Sequence, residues 1–189
     1  MMATVGSGQR QRMHPHKFTL WVAIGSILMM FAGLTSAYIV KRGQPGWENV
    51  DTPQLFVWST IAILASSVTM QAALRNFKQR NMQVYRTMML ATLVLGLLFV
   101  ALQWGGFQWM WQHGVRWQGA SAGQFLYIIA GLHALHVLGG IVALGVVTIK
   151  AFTGRTKSYN AVPVEVMATY WHFVDVLWIY LLVFFVWLG

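Results

Sequence analysis

Four stretches of the 189-residue sequence, 18–40, 53–74, 87–112 and 122–149, each run for more than twenty residues without a single Asp, Glu, Lys or Arg. A fifth, 162–188, carries only Glu165 and Asp175. A helix needs about 20 apolar residues to cross a hydrocarbon core of about 30 Å. Each stretch is therefore long enough to span a bilayer, the longest with tilt or extension into the headgroups. Composition closes off a soluble domain: 57% of residues are hydrophobic and 9% are charged, against about 25% charged in soluble proteins. The sequence predicts an all-α polytopic membrane protein, with a tail over 1–17 and one five-helix transmembrane domain over 18–189. The first stretch is too long for a signal-peptide apolar core of about 7 to 15 residues. Asp51, Thr52 and Pro53 mark a helix start, a capping side chain before a proline whose missing N–H costs nothing in a first turn. Pro163 marks another.

Orientation follows from the basic residues. Arg10, Arg12 and Lys17 precede the first span, Arg75, Lys78, Arg80 and Arg86 join the second to the third, and Lys150, Arg155 and Lys157 join the fourth to the fifth. Only Lys41, Arg42 and Arg116 fall on the other side, with the acids Glu48 and Asp51. The positive-inside rule then predicts a cytoplasmic N-terminus and an outer C-terminus. Trp47, Trp58, Trp104, Trp109, Trp111, Trp117 and Trp187 cluster near the outer ends, where an amphipathic ring suits the interface. In a soluble chain a net charge of +9 would point to nucleic acid; in short loops between apolar spans it needs no nucleic-acid partner. With no cysteine there is no disulfide framework, thiolate metal site or cysteine nucleophile. No repeat or domain linker interrupts the chain.

Small residues four apart let helix backbones approach where lipid gives no hydrophobic incentive to associate. Such pairs predict packing faces at Ala32/Ser36 and Gly33/Ala37, at Ala65/Thr69/Ala73, and at Ala130/Ala134 and Gly139/Ala143.

Polar groups inside a span need a partner or a function. His133 and His136 lie three apart, on one face of the fourth span; His172 and Asp175 have the same spacing in the fifth, with Glu165 two turns earlier on roughly the same face. These residues predict one polar stripe turned to the protein interior, with His133, His136, His172 and Asp175 hydrogen-bonded across two packed helices. Two sharper readings stay open: a histidine-carboxylate metal centre or a haem ligated from both helices, and a proton relay. The Glu-x-x-His pairs of a di-iron bundle are absent. Glu165 also has a simpler role, as an acid meeting the positive end of a helix dipole. His14, His16 and His113 read as interfacial or solvent residues.

The fifth span reads Glu165-Val-Met-Ala-Thr-Tyr170-Trp171-His172-Phe173-Val174-Asp175-Val-Leu-Trp178, and the fourth reads Gly131-Leu-His133-Ala-Leu-His136-Val137-Leu-Gly139-Gly140. Together they resemble subunit III of the haem-copper respiratory oxidases, whose last two spans carry E-x(4)-Y-W-H-F-V-D-x-x-W and G-x-H-x-x-H-V-x-x-G. The first three spans match in length, loop order and topology, and the chain resembles the short five-helix bacterial form of a family whose full-length members have seven. One position departs from the pattern. Where the family has a Ser-Glu pair in the middle of the equivalent of the first span, this chain has Ser26 and Ile27.

The resemblance implies a multi-pass protein of the bacterial cytoplasmic membrane, an accessory subunit with no redox cofactor and no catalytic residue or metal of its own. It implies as partners the catalytic subunit I that carries haem and copper, other oxidase subunits, bound phospholipid, and a respiratory supercomplex. It places His133, His136, Glu165, Tyr170, Trp171, His172 and Asp175 in a structural or lipid-associated stripe. The implied activity of the complex is proton-pumping reduction of oxygen by cytochrome c. Quinol oxidase and nitric oxide reductase companions are alternatives, and a small proton-conducting transporter is a more distant one.

Overall fold

The computed structural model describes residues 15–45, 47, 54–114, 121–153 and 161–188. These form five helices: α1 (Pro15–Arg42), α2 (Leu55–Lys78), α3 (Met82–Gln112), α4 (Ser121–Phe152) and α5 (Val162–Leu188). All five are long and apolar enough to cross a membrane. α5 coincides with its charge-free run except for its two acids, and Pro163 stands in its first turn as expected. The other helices outrun their apolar stretches. α1 takes in Pro15 to Lys17, which the sequence had placed in the tail, and Pro15 sits where a proline costs least. α3 begins five residues early. A charge-free run measures hydrocarbon thickness, while backbone hydrogen bonding continues until something stops it, and Lys and Arg stems reach the headgroups from inside a helix. α2 starts at Leu55 with Gln54 as a cap that makes no side-chain bond; the expected start at Asp51, Thr52 and Pro53 lies outside the described residues.

α2 and α3 make the most extensive pair, and α3–α4, α4–α5 and α5–α2 contacts close a four-helix ring. α1 packs outside that ring on α4 and α5 and does not meet α2. The α2–α3 hairpin follows from its turn. Arg80 adopts φ 61°, and the Arg80 and Asn81 amides donate to the Phe77 and Asn76 carbonyls at 3.1 and 3.0 Å. This closes the helix in a Schellman motif built on a non-glycine residue. Phe77 and Tyr85 then meet edge to face, 5.0 Å apart.

The interior is aromatic. Phe31, Phe56, Phe99, Trp171, Trp178 and Phe185 are fully buried, and Trp178 meets both Phe56 and Phe99 edge-on at 5.7 and 5.5 Å. Small residues admit these rings, but they are only partly the ones the four-residue spacing selects. Gly33 and Ala37, with Ala32 and Ser36, face out of the bundle, as do Ala65, Gly139 and Ala143. α1 turns Phe31, Thr35 and Tyr38 inward instead. Thr69 does pack, its hydroxyl 2.8 Å from that of Thr92 on α3, and Ala73 and Ala130 are buried. The close approaches fall at Gly96, Gly106 and Gly140, where the neighbour is a large ring rather than a second backbone. A Cβ at Gly106 would lie 2.5 Å from the Phe56 ring, whereas one at Gly105 would find nothing nearer than Leu55 at 3.7 Å. Gly105→Ala is expected to raise the thermal midpoint, since alanine gains about 1 kcal/mol of helix propensity. Gly106→Ala is expected to lower it, because overpacking costs about 1–3 kcal/mol. Equal shifts in the two variants would contradict this packing.

Candidate functional site

The basic residues meet at one end of the bundle. Glu165, in the first turn of α5, accepts ion pairs from Lys17 of α1 at 2.8 Å and Lys78 of α2 at 2.9 Å. Arg86 Nε donates to the Ala151 carbonyl at the end of α4 at 2.9 Å, and its guanidinium lies over the Phe152 ring. Glu165 is thus more than a helix-dipole acid: it ties together α1 and α2, which otherwise do not touch. Both lysines are about half exposed, so solvent screening holds each pair to the surface range of about 0–1 kcal/mol.

The motif residues of α4 and α5 lie on neighbouring helices, but they do not bond one another. His133 is 1% exposed, stacked on Trp178 at 5.2 Å and edge-on to Phe31 and Phe99. Neither of its ring nitrogens has a hydrogen-bond partner among the described residues. His136 is partly buried, and its Nδ1 donates back to the Leu132 carbonyl at 2.7 Å. The His136 carbonyl accepts from the Tyr170 hydroxyl at 3.0 Å. His172 turns the other way, to α2. Its Nε2 donates to Gln71 Oε1 at 3.3 Å, leaving Nδ1 to accept the Ser67 hydroxyl proton at 2.6 Å. Asp175 is 2% exposed. Both of its carboxyl oxygens lack a hydrogen-bond partner among the described residues. The expected interior stripe is therefore two sites. Glu165 and His172 share a partly exposed face of α5, while His133 and Asp175 are sealed in the core.

The partners come from α2, where the spacing of Ala65, Thr69 and Ala73 marks only a packing face. The Trp171 indole N–H donates to Ser66 Oγ at 3.0 Å and that of Trp178 to Thr60 Oγ1 at 2.9 Å. Gln103 of α3 donates to Ser59 Oγ at 3.0 Å. The signal was present, because Ser59 and Ser66, like Thr60 and Ser67, lie seven apart on an apolar helix. It is a faint one, since such hydroxyls satisfy themselves on the preceding turn, as Ser59, Thr60 and Ser66 also do here.

Among the described residues no three His, Asp or Glu side chains converge on a point that could hold a metal ion. Ser26 donates to its own helix at Val22 and Ile27 packs partly buried against the core, so no carboxylate stands in that part of α1. Trp58, Trp104, Trp111 and Trp187 are exposed, as interfacial anchors would be. Trp47 is not one of them; it packs edge-on to Tyr38 at 4.9 Å. His113 is exposed and stacks on Trp109. His14, Trp117 and the His16 side chain lie outside the described residues.

Near the basic end α1 and α4 diverge over α5 and leave a furrow of about 590 Å³. Leu20 and Ala23 form one wall, Gly139 and Ala143 the other, and Val166 and Tyr170 part of the floor.

A family model described as cytochrome c oxidase subunit III matches residues 17–189. A probable cytochrome c oxidase subunit 3 of Nocardia farcinica is 32% identical, over 94% of this chain and 93% of the relative. A cytochrome c oxidase subunit 3 of Corynebacterium diphtheriae is 31% identical, over 84% and 83%. A probable quinol oxidase subunit 3 of Staphylococcus epidermidis is 28% identical, over 88% and 85%.

Proposed function

The chain belongs to the cytochrome c oxidase subunit III family, and from that premise we propose that it holds the haem- and copper-bearing subunit in working form while doing no redox chemistry itself. It is an accessory subunit III of a haem-copper oxidase, an oxidoreductase complex. The observation that carries the proposal is the family match over residues 17–189, in a chain whose α5 motif residues Tyr170, Trp171 and Trp178 are committed to hydrogen bonds with neighbouring helices. Its partners are the catalytic subunit and other oxidase subunits, within a bacterial cytoplasmic membrane and a respiratory supercomplex. Electrons come from cytochrome c, in keeping with the names of the Nocardia and Corynebacterium relatives; quinol is the second reading, favoured by the Staphylococcus relative. The basic end faces the cytoplasm, which the positive-inside rule supports.

Phospholipid is part of the same proposal. The furrow on α5 is apolar along its walls and lies toward the basic end of the bundle, a setting that suits an acyl chain with an anionic headgroup at that end. Gly139 and Ala143 widen it, and Tyr170 forms part of its floor. Deleting the subunit is expected to leave an oxidase that still reduces oxygen but loses activity progressively during turnover or falls apart in detergent. Oxygen uptake followed over successive turnovers checks this; an immediate and complete loss of oxygen reduction in an intact remaining complex would contradict it.

A further inference from the structure

α5 shows a second, differently made slot on its other side. Glu165, His172, Val176 and Val183 recur at intervals of seven, four and seven, so they lie on one face of the helix. Val176 and Val183 are 64% and 59% exposed. The face is flanked by α2, which His172 reaches through Ser67 and Gln71, and by α1, which Tyr180 reaches through a 3.2 Å bond to Thr35. Because α1 and α2 do not meet, a slot floored by α5 runs between them, closed at the basic end by Lys17, Glu165 and Lys78.

What distinguishes this slot from the furrow is the polarity of its lining. His172 lies ten residues into α5, about 15 Å along the helix at 1.5 Å per residue, well inside the hydrocarbon. There His172, Gln71 and Ser67 are only partly buried. Gln71 gives its carbonyl to His172, and its NH2 group has no partner among the described residues. Lipid chains can neither accept nor donate hydrogen bonds, so polar groups at this depth are covered by protein. Protein that covers this face within the hydrocarbon does so as a helix, which satisfies its own backbone hydrogen bonds.

We propose that this slot seats a transmembrane helix of another oxidase subunit, one that carries a hydrogen-bonding side chain at the depth of His172 and Gln71. The inference rests on the assembly of this chain with other oxidase subunits. The apolar furrow on the opposite flank of α5 remains for lipid, so one helix separates a protein-facing side from a lipid-facing side.

The test uses the intact oxidase purified in mild detergent, with photoreactive benzoylphenylalanine in place of Val176, and in parallel in place of Val142, a 68% exposed residue on α4. Irradiation is expected to join Val176 to another oxidase subunit and Val142 to lipid alone. Gln71→Leu is expected to speed loss of the subunit from the complex about threefold, the factor that an average interhelical hydrogen bond in a membrane protein is worth, with helicity unchanged by circular dichroism. Lipid as the sole adduct at Val176 in an intact complex overturns this inference and leaves the functional reading standing, as does undiminished retention of Gln71→Leu. A chain that purifies with no other oxidase subunit overturns both.

Discussion

Trp171→Ala is expected to lower the unfolding free energy of the bundle by about 3 kcal/mol, near the low end of the range for removing a large aromatic from a core. Trp171 is 1% exposed, and its ring fills space that three other helices have left for it. On α3 a Cβ at Gly96 would come within 2.9 Å of the ring, and on α4 one at Gly140 within 3.3 Å; on α2, Ser66 accepts its indole N–H at 3.0 Å. The low end applies because lipid, rather than water, solvates the separated helices. The transfer term is therefore small, and the lost dispersion contacts and the cavity make up most of the cost. Trp171→Phe separates these contributions. It keeps a ring between Gly96 and Gly140 and loses one hydrogen bond, at about 1 kcal/mol. Unfolding of the purified subunit in detergent, followed by far-ultraviolet circular dichroism, checks both values. If the phenylalanine variant proved as unstable as the alanine variant, the hydrogen bond to Ser66 and not the packing would hold α5 in place.

Trp171 also shows where the sequence was legible and where it was not. Its motif identified the family, and α5 ran where its apolar stretch and Pro163 said it would. The aromatic ring fits against glycines on two other helices, and nothing in a single chain states which helices become neighbours. Spacing marks which residues share a face. It cannot say which face meets which: the spacing points His172 and Asp175 at the histidines of α4, whereas His172 bonds Ser67 and Gln71 of α2 and Asp175 bonds none of the described residues. The early start of α3 has a similar origin. Arg86 would end a hydrocarbon span, yet here it finds the Ala151 carbonyl and the Phe152 ring at the end of α4, so the helix continues past it. Gly33 and Ala37 satisfied a spacing rule for close packing, but α1 joins the bundle through Phe31 and Tyr38, whose rings reach α4 and α5 without a close backbone approach.

His133→Phe is expected to stabilise the isolated subunit by about 1–3 kcal/mol, the cost of burying a polar group that makes no hydrogen bond. The substitution runs against the usual expectation for a motif histidine. Both imidazole nitrogens are buried without a partner, and the surroundings are the rings of Phe31, Phe99 and Trp178. A phenyl ring of similar breadth would sit among these neighbours with nothing left unsatisfied, and its slightly greater volume is the only opposing cost. His133→Leu removes the stack on Trp178 as well as the polar atoms, so its gain is expected to be smaller. Thermal unfolding of the three proteins side by side in one detergent measures the ordering Phe above Leu above wild type. A fall of more than about 1 kcal/mol in both His133→Phe and the smaller His133→Leu would mean that the imidazole has a hydrogen-bonding partner in the folded subunit, since removing a satisfied buried group costs that much and overpacking would weigh on the phenyl ring alone. Should the variant be more stable alone yet shorten the working life of the assembled oxidase, the unsatisfied histidine is retained at a cost in stability for a role that only the complex expresses.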